Sequence, residues 1–247
     1  MSRILLLVII VMMAGCASTK DKDELRSAED FYNSGKKALD IGDYETAIKE
    51  FESLEARYPF GNYSQQAQID IAYAYYRNDD PDEAAAAADR FNKLYPRHRH
   101  VDYLYYLRGL ARFNQGYGFF EYKFSLNTTK RDPRTMREAF NYFSDLLARF
   151  PDSKYAPDAR QRMVDLRNRL AVHEMHVADY YMRRGAYVAA AKRAIYVIEE
   201  LPQTPATANA LAMLASAYRH LGIDNLADDA QRVLELNYPE HEAVGGE

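Results

Sequence analysis

Two histidine-containing clusters hold residue types that could bind a metal ion or transfer protons. In His173-Glu174-Met175-His176 the histidines are three residues apart, whereas the zinc-binding His-Glu-x-x-His motif needs four. We interpret this cluster as a pair on a helix surface. We interpret Arg97-His98-Arg99-His100 as a solvated turn, with a contact to an anion or an acidic partner as the alternative. The sequence has no Gly-rich phosphate loop, Gly-x-Ser-x-Gly elbow or metal-spaced cysteine set, so it predicts neither an enzyme nor a metal or organic cofactor.

The only cysteine, Cys16, ends a segment with the pattern of a secretory signal. Arg3 precedes ten apolar residues at 4–13, a stretch too short to span a bilayer, so we predict that residues 1–15 are a cleaved signal peptide. The ending Ala14-Gly15-Cys16 is similar to the bacterial lipobox, whose cysteine receives an S-diacylglycerol group and an N-acyl chain. The sequence therefore predicts lipidation of Cys16. A single cysteine disfavours disulfide, thiol-catalytic and Cys-metal roles.

The residue after the cysteine and the charge of the chain bear on location. Ala17, not Asp, follows Cys16, which by resemblance to the sorting rule of Gram-negative lipoproteins indicates the outer membrane. Two or more acyl chains give stable anchoring without a transmembrane helix. The linker at 16–23 reaches at most about 30 Å when extended, so the folded part is expected close to the periplasmic face of the membrane. A net charge of −4 favours neither nucleic acid nor a polybasic membrane patch.

Five prolines mark a helical-hairpin repeat. Each has an alanine twelve residues upstream and a Gly or Ala twenty-four upstream, and small residues at helix contacts followed by Pro are typical of tetratricopeptide units. The five sets are Gly35, Ala47 and Pro59; Ala72, Ala84 and Pro96; Gly109, Ala139 and Pro151; Ala178, Ala190 and Pro202; and Ala215, Ala227 and Pro239. We predict an all-α, right-handed solenoid of five such hairpins over 24–240, with repeats ending near 59, 96, 151, 202 and 239 and a flexible tail at 241–247.

Turn and cap residues support this frame. Left-handed turns between the two helices of a repeat are predicted at Gly42, Asp79, Gly185 and Gly222, since Gly, Asn and Asp tolerate that conformation. Helix starts with an N-cap residue followed by Pro are predicted at Asp80-Pro81, Asp132-Pro133 and Thr204-Pro205.

Two repeats are longer than the others. In the third, about 18 residues, 114–131, lie between its helices and carry several aromatic side chains. Long loops in compact folds are functional or disordered, and both alternatives are open for this insert. In the fourth, Pro157 to Arg184 contains no Gly or internal Pro, which predicts one long helix that can brace neighbouring repeats.

Aromatic residues recur where tetratricopeptide repeats face their concave side. These positions lie three before, one after and four after the small residue of the first helix. In the first three repeats they hold Tyr32, Tyr73, Tyr76, Tyr106 and Phe113. In the last two repeats they hold Met175, Asp179, Met182, Ser216 and Arg219. Because tyrosine is enriched in binding surfaces, we predict a substrate-peptide groove in the amino-terminal half. The alternative is that some rings only fill the narrow inner side of the stack.

One basic residue of the fourth repeat lies off the packing face. Ala190, Ala194 and Val197 form the stripe of its second helix, and Arg193, next to Lys192, is one position away. We therefore expect its side chain to reach outward.

Several longer motifs are more specific than the repeat positions. They are Tyr58-Pro59-Phe60-Gly61, Tyr63-Ser64-Gln65-Gln66, Tyr73-Ala74-Tyr75-Tyr76, Asp102-Tyr103, Arg108-Gly109-Leu110, Gly118-Phe119-Phe120, Arg131-Asp132-Pro133, Ala178-Asp179-Tyr180-Tyr181 and Arg184-Gly185-Ala186. Together they resemble the BamD family, the tetratricopeptide lipoproteins of the outer-membrane β-barrel assembly machinery. The resemblance covers nearly the whole chain after the signal peptide.

The resemblance implies a non-enzymatic scaffold. It implies binding to the periplasmic domain of a BamA-type barrel subunit, docking of accessory assembly lipoproteins, and recognition of aromatic-ended segments of unfolded outer-membrane proteins. On matching positions Arg193 would contact the BamA-type subunit, and the amino-terminal groove would take the extended segment. The alternative function is that of another envelope lipoprotein, which uses the same repeats to tether peptidoglycan or cell-division proteins.

Overall fold

Helix pairs account for nearly all regular structure of the residues that the structure describes. The computed structural model describes residues 26–115 and 133–244, and within these ranges it contains ten α-helices and no strand. The helices are α1 (Ala28–Asp40), α2 (Tyr44–Arg57), α3 (Asn62–Arg77), α4 (Pro81–Leu94), α5 (Val101–Gln115), α6 (Pro133–Arg149), α7 (Ala156–Arg183), α8 (Tyr187–Glu200), α9 (Thr207–His220) and α10 (Asp224–Asn237). The predicted all-α, tetratricopeptide-like class is confirmed.

The chain divides into two compact units, Met1–Pro96 and Arg97–Glu247. In the first unit, α1 packs on α2, α2 on α3 and α3 on α4. In the second, α5 packs on α6, α6 on α7, and the series continues through α8 and α9 to α10. Within each unit, consecutive helices are therefore neighbours in space, as expected for stacked hairpins. No helix of the described ranges is both long and apolar enough to cross a membrane.

The small residues of the five repeats lie at the helix contacts, as the sequence predicts. The five alanines twelve residues before the prolines are all fully buried, and Ala72, Ala178 and Ala215 on the first helices are at most 1% exposed. The second helix of every pair ends two residues before its proline, at Arg57, Leu94, Arg149, Glu200 and Asn237. This position follows from the missing N–H of proline, which cannot extend the helical ladder.

Two of these small residues are glycines for a packing reason. A Cβ atom built on Gly35 would lie 2.5 Å from the Phe51 ring, and one on Gly109 would lie 2.3 Å from the Phe143 ring. Both rings are fully buried. In the second and fourth repeats the equivalent pairs are Ala72 with Ala88 and Ala178 with Ala194, all fully buried. The first four repeats therefore fill the same space either with Gly and Phe or with two alanines.

The four predicted left-handed turns are confirmed. Gly42, Asp79, Gly185 and Gly222 have φ values of 81°, 63°, 70° and 70°. Each residue ends the first helix of a pair and reverses the chain into the second, which is where a Gly or Asp is tolerated.

The predicted helix starts are partly right. Pro81 opens α4 after its N-cap Asp80, and Pro133 opens α6, while Asp132 lies outside the described residues. The start at Thr204-Pro205 is wrong, because α9 begins at Thr207. The Thr204 N–H donates to the Thr207 hydroxyl at 3.3 Å, and the Thr207 N–H donates to the Thr204 carbonyl at 3.1 Å. These bonds form a separate turn before the helix.

Of the two long repeats, the structure describes the long helix of the fourth in full and only the start of the insert in the third. The long helix expected from Pro157 to Arg184 is confirmed as α7, which has 28 residues and packs on both α6 and α8. Helix α5 extends to Gln115, so the first residues of the predicted insert are helical. The rest of the insert, 116–131, lies outside the described residues.

The start of the carboxy-terminal tail is held against the second unit. His241 hydrogen-bonds through Nε2 to Asn209 Oδ1 at 2.8 Å, and Gln231 donates to the Ala243 carbonyl at 3.2 Å. Side chains of α9 and α10 thus supply hydrogen bonds to the segment 241–244, and the flexible tail at 241–247 stays a prediction. Residues 245–247 lie outside the described residues.

Candidate functional site

The predicted lipidation site, Cys16, and the linker at 16–23 lie outside the described residues, so the anchor stays a prediction. The structure bears on the other predicted site residues, which fall into four groups of side chains. Tyr32, Tyr73 and Tyr76 lie in the first unit, whereas Tyr106, Phe113 and Arg193 lie in the second.

Tyr32 on α1 is half-buried and reaches the next repeat. Its hydroxyl donates to Asp70 Oδ2 on α3 at 3.1 Å. Its ring lies 5.9 Å from that of Phe51 and 5.4 Å from that of Tyr63, both tilted. Burial together with the nearby Asp70 carboxylate raises the pKa of Tyr32 above its ordinary range. Tyr32 is thus a neutral hydrogen-bond donor tied to a buried acid.

Asp70 is the buried acid of this group, at 8% exposure. It also accepts from Gln66 at 3.4 Å, and Lys36 Nζ lies 3.9 Å away. Burial raises the pKa of Asp70, and the Lys36 charge and the hydrogen bonds from Tyr32 and Gln66 oppose this rise without cancelling it. The first unit therefore holds a carboxylate whose charge is only weakly compensated.

Tyr73 and Tyr76 form a second aromatic pair on α3. Both are half-buried, and their ring centroids are 6.3 Å apart. Arg77 donates to the Tyr73 hydroxyl at 2.7 Å, and its guanidinium lies 5.0 Å from the Tyr44 ring. Aromatic faces and a cation thus adjoin at the end of α3, a combination that suits aromatic or C-terminal carboxylate groups of a peptide.

In the second unit Tyr106 on α5 makes the corresponding contacts. Its ring stacks on Tyr155 at 4.8 Å, and its hydroxyl donates to Asp158 on α7. Burial, followed by the hydrogen bond to Asp158, raises the pKa of Tyr106 to about 12. Arg162 donates to the same Asp158 carboxylate at 2.6 Å and lies 4.7 Å from the ring centroid of Phe113. Tyr106 and Phe113 are therefore joined through Asp158 and Arg162.

All five predicted groove residues are half-buried, and each contacts another part of its own unit. Partial exposure is compatible with ligand binding, and the ring contacts are compatible with the alternative that these side chains fill the inner side of the stack. The sequence singled out the rings but not their partners Asp70, Asp158 and Arg162. Each aspartate partner is visible in the sequence as an acid on the first helix of the next repeat. The spacing of the residues does not reveal which of the acids on that helix a tyrosine reaches.

Arg193 on α8 has an intramolecular partner that the sequence did not indicate. Its Nη1 lies 2.9 Å from Oε2 of Glu174 on α7, and Nη2 of Arg137 on α6 lies 2.7 Å from Oε1 of the same carboxylate. The Glu174 side chain is 1% exposed, whereas both arginine side chains are 43% exposed. The hydrogen bond to Glu174 raises the pKa of Arg193 further. Arg193 is thus off the packing stripe, as expected, but is held by a buried acid.

The interpretation of His173-Glu174-Met175-His176 as a surface pair needs a correction at its second residue. Glu174 points into the helix interface, because its carboxylate is compensated there by two arginines from the flanking helices. The histidines on either side are half-buried or exposed.

A cavity of about 580 Å³ lies in the second unit between α7, α9 and the residues that follow α10. It is lined by apolar and polar side chains, including Val172, Met175, His176, Asp179, Met213 and His241. Two of the positions that the sequence assigned to the concave face of the fourth repeat, Met175 and Asp179, line this cavity.

In the described part of the chain, no group of three or more His, Cys, Asp or Glu side chains is placed to hold a metal ion. In the predicted turn at 97–100, the rings of His98 and His100 are 5.5 Å apart and half-buried. Burial, His100 and Arg99 lower the pKa of His98, which favours its uncharged form.

Comparisons with known proteins place the chain in one family. The model of the YfiO family, described as outer membrane lipoprotein, matches residues 24–233. Outer membrane protein assembly factor BamD of Neisseria meningitidis serogroup B is 44% identical over 246 residues, covering 97% of this chain and 92% of the relative. Those of Xylella fastidiosa (40% identical over 243 residues, 98% and 83% covered) and Vibrio cholerae (37% identical over 231 residues, 94% and 96% covered) are also similar. This chain therefore belongs to the YfiO family of outer membrane lipoproteins, together with the assembly factors named BamD.

Proposed function

We propose that this chain is an outer membrane protein assembly factor that acts as a lipid-anchored scaffold on the periplasmic face of the outer membrane, without catalysing a reaction. The observation that supports it most is the match of nearly the whole folded chain to relatives that carry this name, at up to 44% identity. The half-buried aromatic groups and the arginine pair give such a scaffold surfaces for an extended segment and for a partner subunit.

The anchor is the first part of the proposal. Cys16 carries S-diacylglycerol and N-acyl groups, and each buried CH₂ contributes about 0.8 kcal/mol to membrane binding. Cys16→Ser is expected to abolish acyl labelling and leave an uncleaved or soluble protein whose helices still fold, because no disulfide is lost. A mature membrane protein whose first residue is not Cys16 contradicts this part.

The second part is a peptide groove formed by the aromatic residues of the amino-terminal repeats. In the first unit, Tyr32, Tyr73 and Tyr76 would receive an extended segment of an unfolded outer-membrane protein that ends in an aromatic residue. An aromatic pair contributes about 0.5–1.5 kcal/mol beyond buried area, so Tyr76→Ala is expected to weaken binding several-fold. Equal binding of a scrambled peptide without aromatic residues contradicts it, and circular dichroism checks that the variant is folded.

The third part is the contact with a BamA-type barrel subunit through Arg193, with accessory assembly lipoproteins docking elsewhere on the chain. Truncating a desolvated interface charge costs about 2–5 kcal/mol and acts mainly on the off-rate. Arg193→Glu would bring a second carboxylate against buried Glu174 and threaten folding, so Arg193→Gln is the better variant. We expect this variant to lose the barrel subunit.

The experiment that tests the function as a whole is purification of the tagged, lipidated chain from outer membranes in mild detergent. A β-barrel subunit as the main partner supports the assembly role. Recovery of other envelope proteins without a barrel subunit contradicts it.

A further inference from the structure

A buried acid joins three helices of the second unit. Glu174 on α7 is contacted by Arg137 from α6 and by Arg193 from α8, one arginine on each carboxylate oxygen. The contacts measure 2.7 Å and 2.9 Å. Since the two oxygens belong to one carboxylate, the two guanidinium groups are held next to each other.

The charges of this group do not cancel. Two arginines and one glutamate leave one positive charge, in a chain whose net charge is −4. The contact with Glu174 uses one terminal nitrogen of each guanidinium, which has five N–H donors. The side chains are 43% exposed, and the buried Nε of Arg137 has no hydrogen-bond partner among the residues that the structure describes. The acid therefore orients both arginines without saturating them.

Aromatic rings flank the pair and limit its movement. The Arg137 guanidinium lies 5.9 Å from the ring centroid of Tyr196, and the Arg193 guanidinium donates a hydrogen bond to the Tyr181 hydroxyl. A planar guanidinium held on one edge can present its other edge to a second carboxylate. Two such edges held side by side suit an acidic side chain of a protein surface.

We propose that Arg137 and Arg193 form one two-arginine site for a carboxylate of the barrel-forming partner, and that Glu174 is the positioning residue that holds both guanidinium groups in place. This inference rests on the proposed function. It adds Arg137 as a second contact residue. It also gives Glu174, the buried acid of the His173-Glu174-Met175-His176 segment, the role of orienting the arginines without touching the partner.

The role of Glu174 can be tested by the direction of an effect. Glu174→Gln removes a negative charge next to a site for an acid. If the Glu174 carboxylate merely competed with the partner's carboxylate for the two arginines, this variant would bind the partner more strongly. The proposal expects the opposite, because two neighbouring guanidinium groups repel each other and lose their orientation without the buried charge. The readout is the amount of barrel subunit captured by the tagged, lipidated full-length chain from detergent-solubilised outer membranes, over a range of chain concentrations.

The expected results are that Arg137→Gln and Arg193→Gln each lower the apparent affinity about tenfold or more and that Glu174→Gln lowers it as well. Arg137→Lys is expected to stay weak, since a lysine can pair with Glu174 but lacks the fork that grips a second carboxylate. Arg183→Gln is the matched control. Arg183 lies on α7, the helix of Glu174, and is likewise paired with an acid, Asp179, at 2.6 Å. Its side chain is 68% exposed, and in the α7 sequence it lies more than two helical turns away from Glu174. Capture by this control should equal that of the unaltered chain.

Circular dichroism and the unfolding midpoint of each variant establish that it is folded at the temperature of capture. If Glu174→Gln does not fold, the two Arg137 variants decide. Wild-type capture by Arg137→Gln, full rescue by Arg137→Lys, or stronger capture by folded Glu174→Gln overturns the two-arginine site and leaves the proposed function standing. Absence of a barrel subunit on the unaltered chain overturns the proposed function, and the site with it.

Discussion

The first and third repeats, one in each unit, build the same arrangement of side chains and give it different electrostatics. In both, a tyrosine lies three residues before a glycine, and the glycine faces a buried phenylalanine of the second helix. The ring centroids of Tyr32 and Phe51 are 5.9 Å apart at 42°, and those of Tyr106 and Phe143 are 6.0 Å apart at 44°. In both, the tyrosine hydroxyl donates to an aspartate on the first helix of the following repeat.

The two aspartates differ in their cations and in their burial. Asp70 is 8% exposed and its cation among the described residues is Lys36 at 3.9 Å, so burial prevails and its pKa is raised. At Asp158 burial also raises the pKa, but the hydrogen bonds from Arg162 and Tyr106 and the guanidinium charge outweigh it, and the net pKa is lowered. In both repeats the packing is therefore set by the Tyr, Gly and Phe side chains. The pKa of the aspartate that the tyrosine contacts is set by one neighbouring cation.

The largest expected effect tests the shared packing. Phe51→Ala and Phe143→Ala should each lower the free energy of unfolding by about 3–5 kcal/mol, because each leaves a cavity beside a glycine. Gly35→Ala and Gly109→Ala alone should also destabilise, since the new Cβ would lie within 2.5 Å of the ring. In the Phe→Ala backgrounds the same Gly→Ala changes should instead stabilise by about 1 kcal/mol, through helix propensity and partial filling of the cavity.

Urea unfolding followed by circular dichroism measures the two double-mutant cycles, Gly35 with Phe51 and Gly109 with Phe143. The combination of two alanines already occurs at Ala72 and Ala88 in the second repeat, which serves as the natural reference. A Gly→Ala effect of the same sign with and without the phenylalanine, in either repeat, contradicts the shared packing.

The fold could be read from the sequence to a large extent because its signals are local. The five prolines, the buried alanines and the left-handed turn at Gly185 each act within one helix pair, where spacing determines geometry. The false start at Thr204-Pro205 shows the limit of such signals, since a threonine three residues later provides a competing turn.

The candidate sites were less accessible to sequence reasoning. Tyr32 and Asp70 are 38 residues apart, and Tyr106 and Asp158 are 52 apart, so periodicity finds the rings but not the acids that they reach. The same holds for Glu174, whose burial depends on arginines of two other helices. Charged residues are commonly solvated, so a buried one is identified only when its partners are known.

The second prediction removes only the tyrosine hydroxyls. Tyr32→Phe should destabilise by about 1–3 kcal/mol, because the buried Asp70 loses a donor and water cannot easily replace it. Tyr106→Phe should cost less than about 1 kcal/mol, since Arg162 remains 2.6 Å from Asp158. The difference in urea midpoint between the two variants and the unaltered chain gives the measurement, and equal costs would remove the distinction between the two acids.

The third prediction concerns the acids themselves at neutral pH. Asp158→Asn should lower the free energy of unfolding by up to about 1 kcal/mol, because it breaks a partly exposed ion pair with Arg162. Asp70→Asn should be neutral or stabilising, since an amide oxygen still accepts from Tyr32 and no ionised group remains buried. Thermal unfolding of both variants at pH 7 measures these two changes in stability. An equal loss of stability in Asp70→Asn and Asp158→Asn contradicts the prediction.

The smallest effect is the pH dependence that follows from these pKa directions. Asp70 has a folded pKa above its ordinary value of 3.8, so the folded state binds its proton more tightly. Its contribution to stability is therefore present below about pH 3.8 and is lost as the pH rises through the folded pKa. Asp158 has a folded pKa below 3.8, so its contribution is present above that value and is lost as the pH falls through the folded pKa. The difference in unfolding free energy between the unaltered chain and each Asp→Asn variant, followed from about pH 6 to pH 3, should therefore rise for Asp70 and fall for Asp158. Parallel slopes would mean that Lys36 compensates Asp70 as fully as Arg162 compensates Asp158, and that a contact of 3.9 Å acts like one of 2.6 Å.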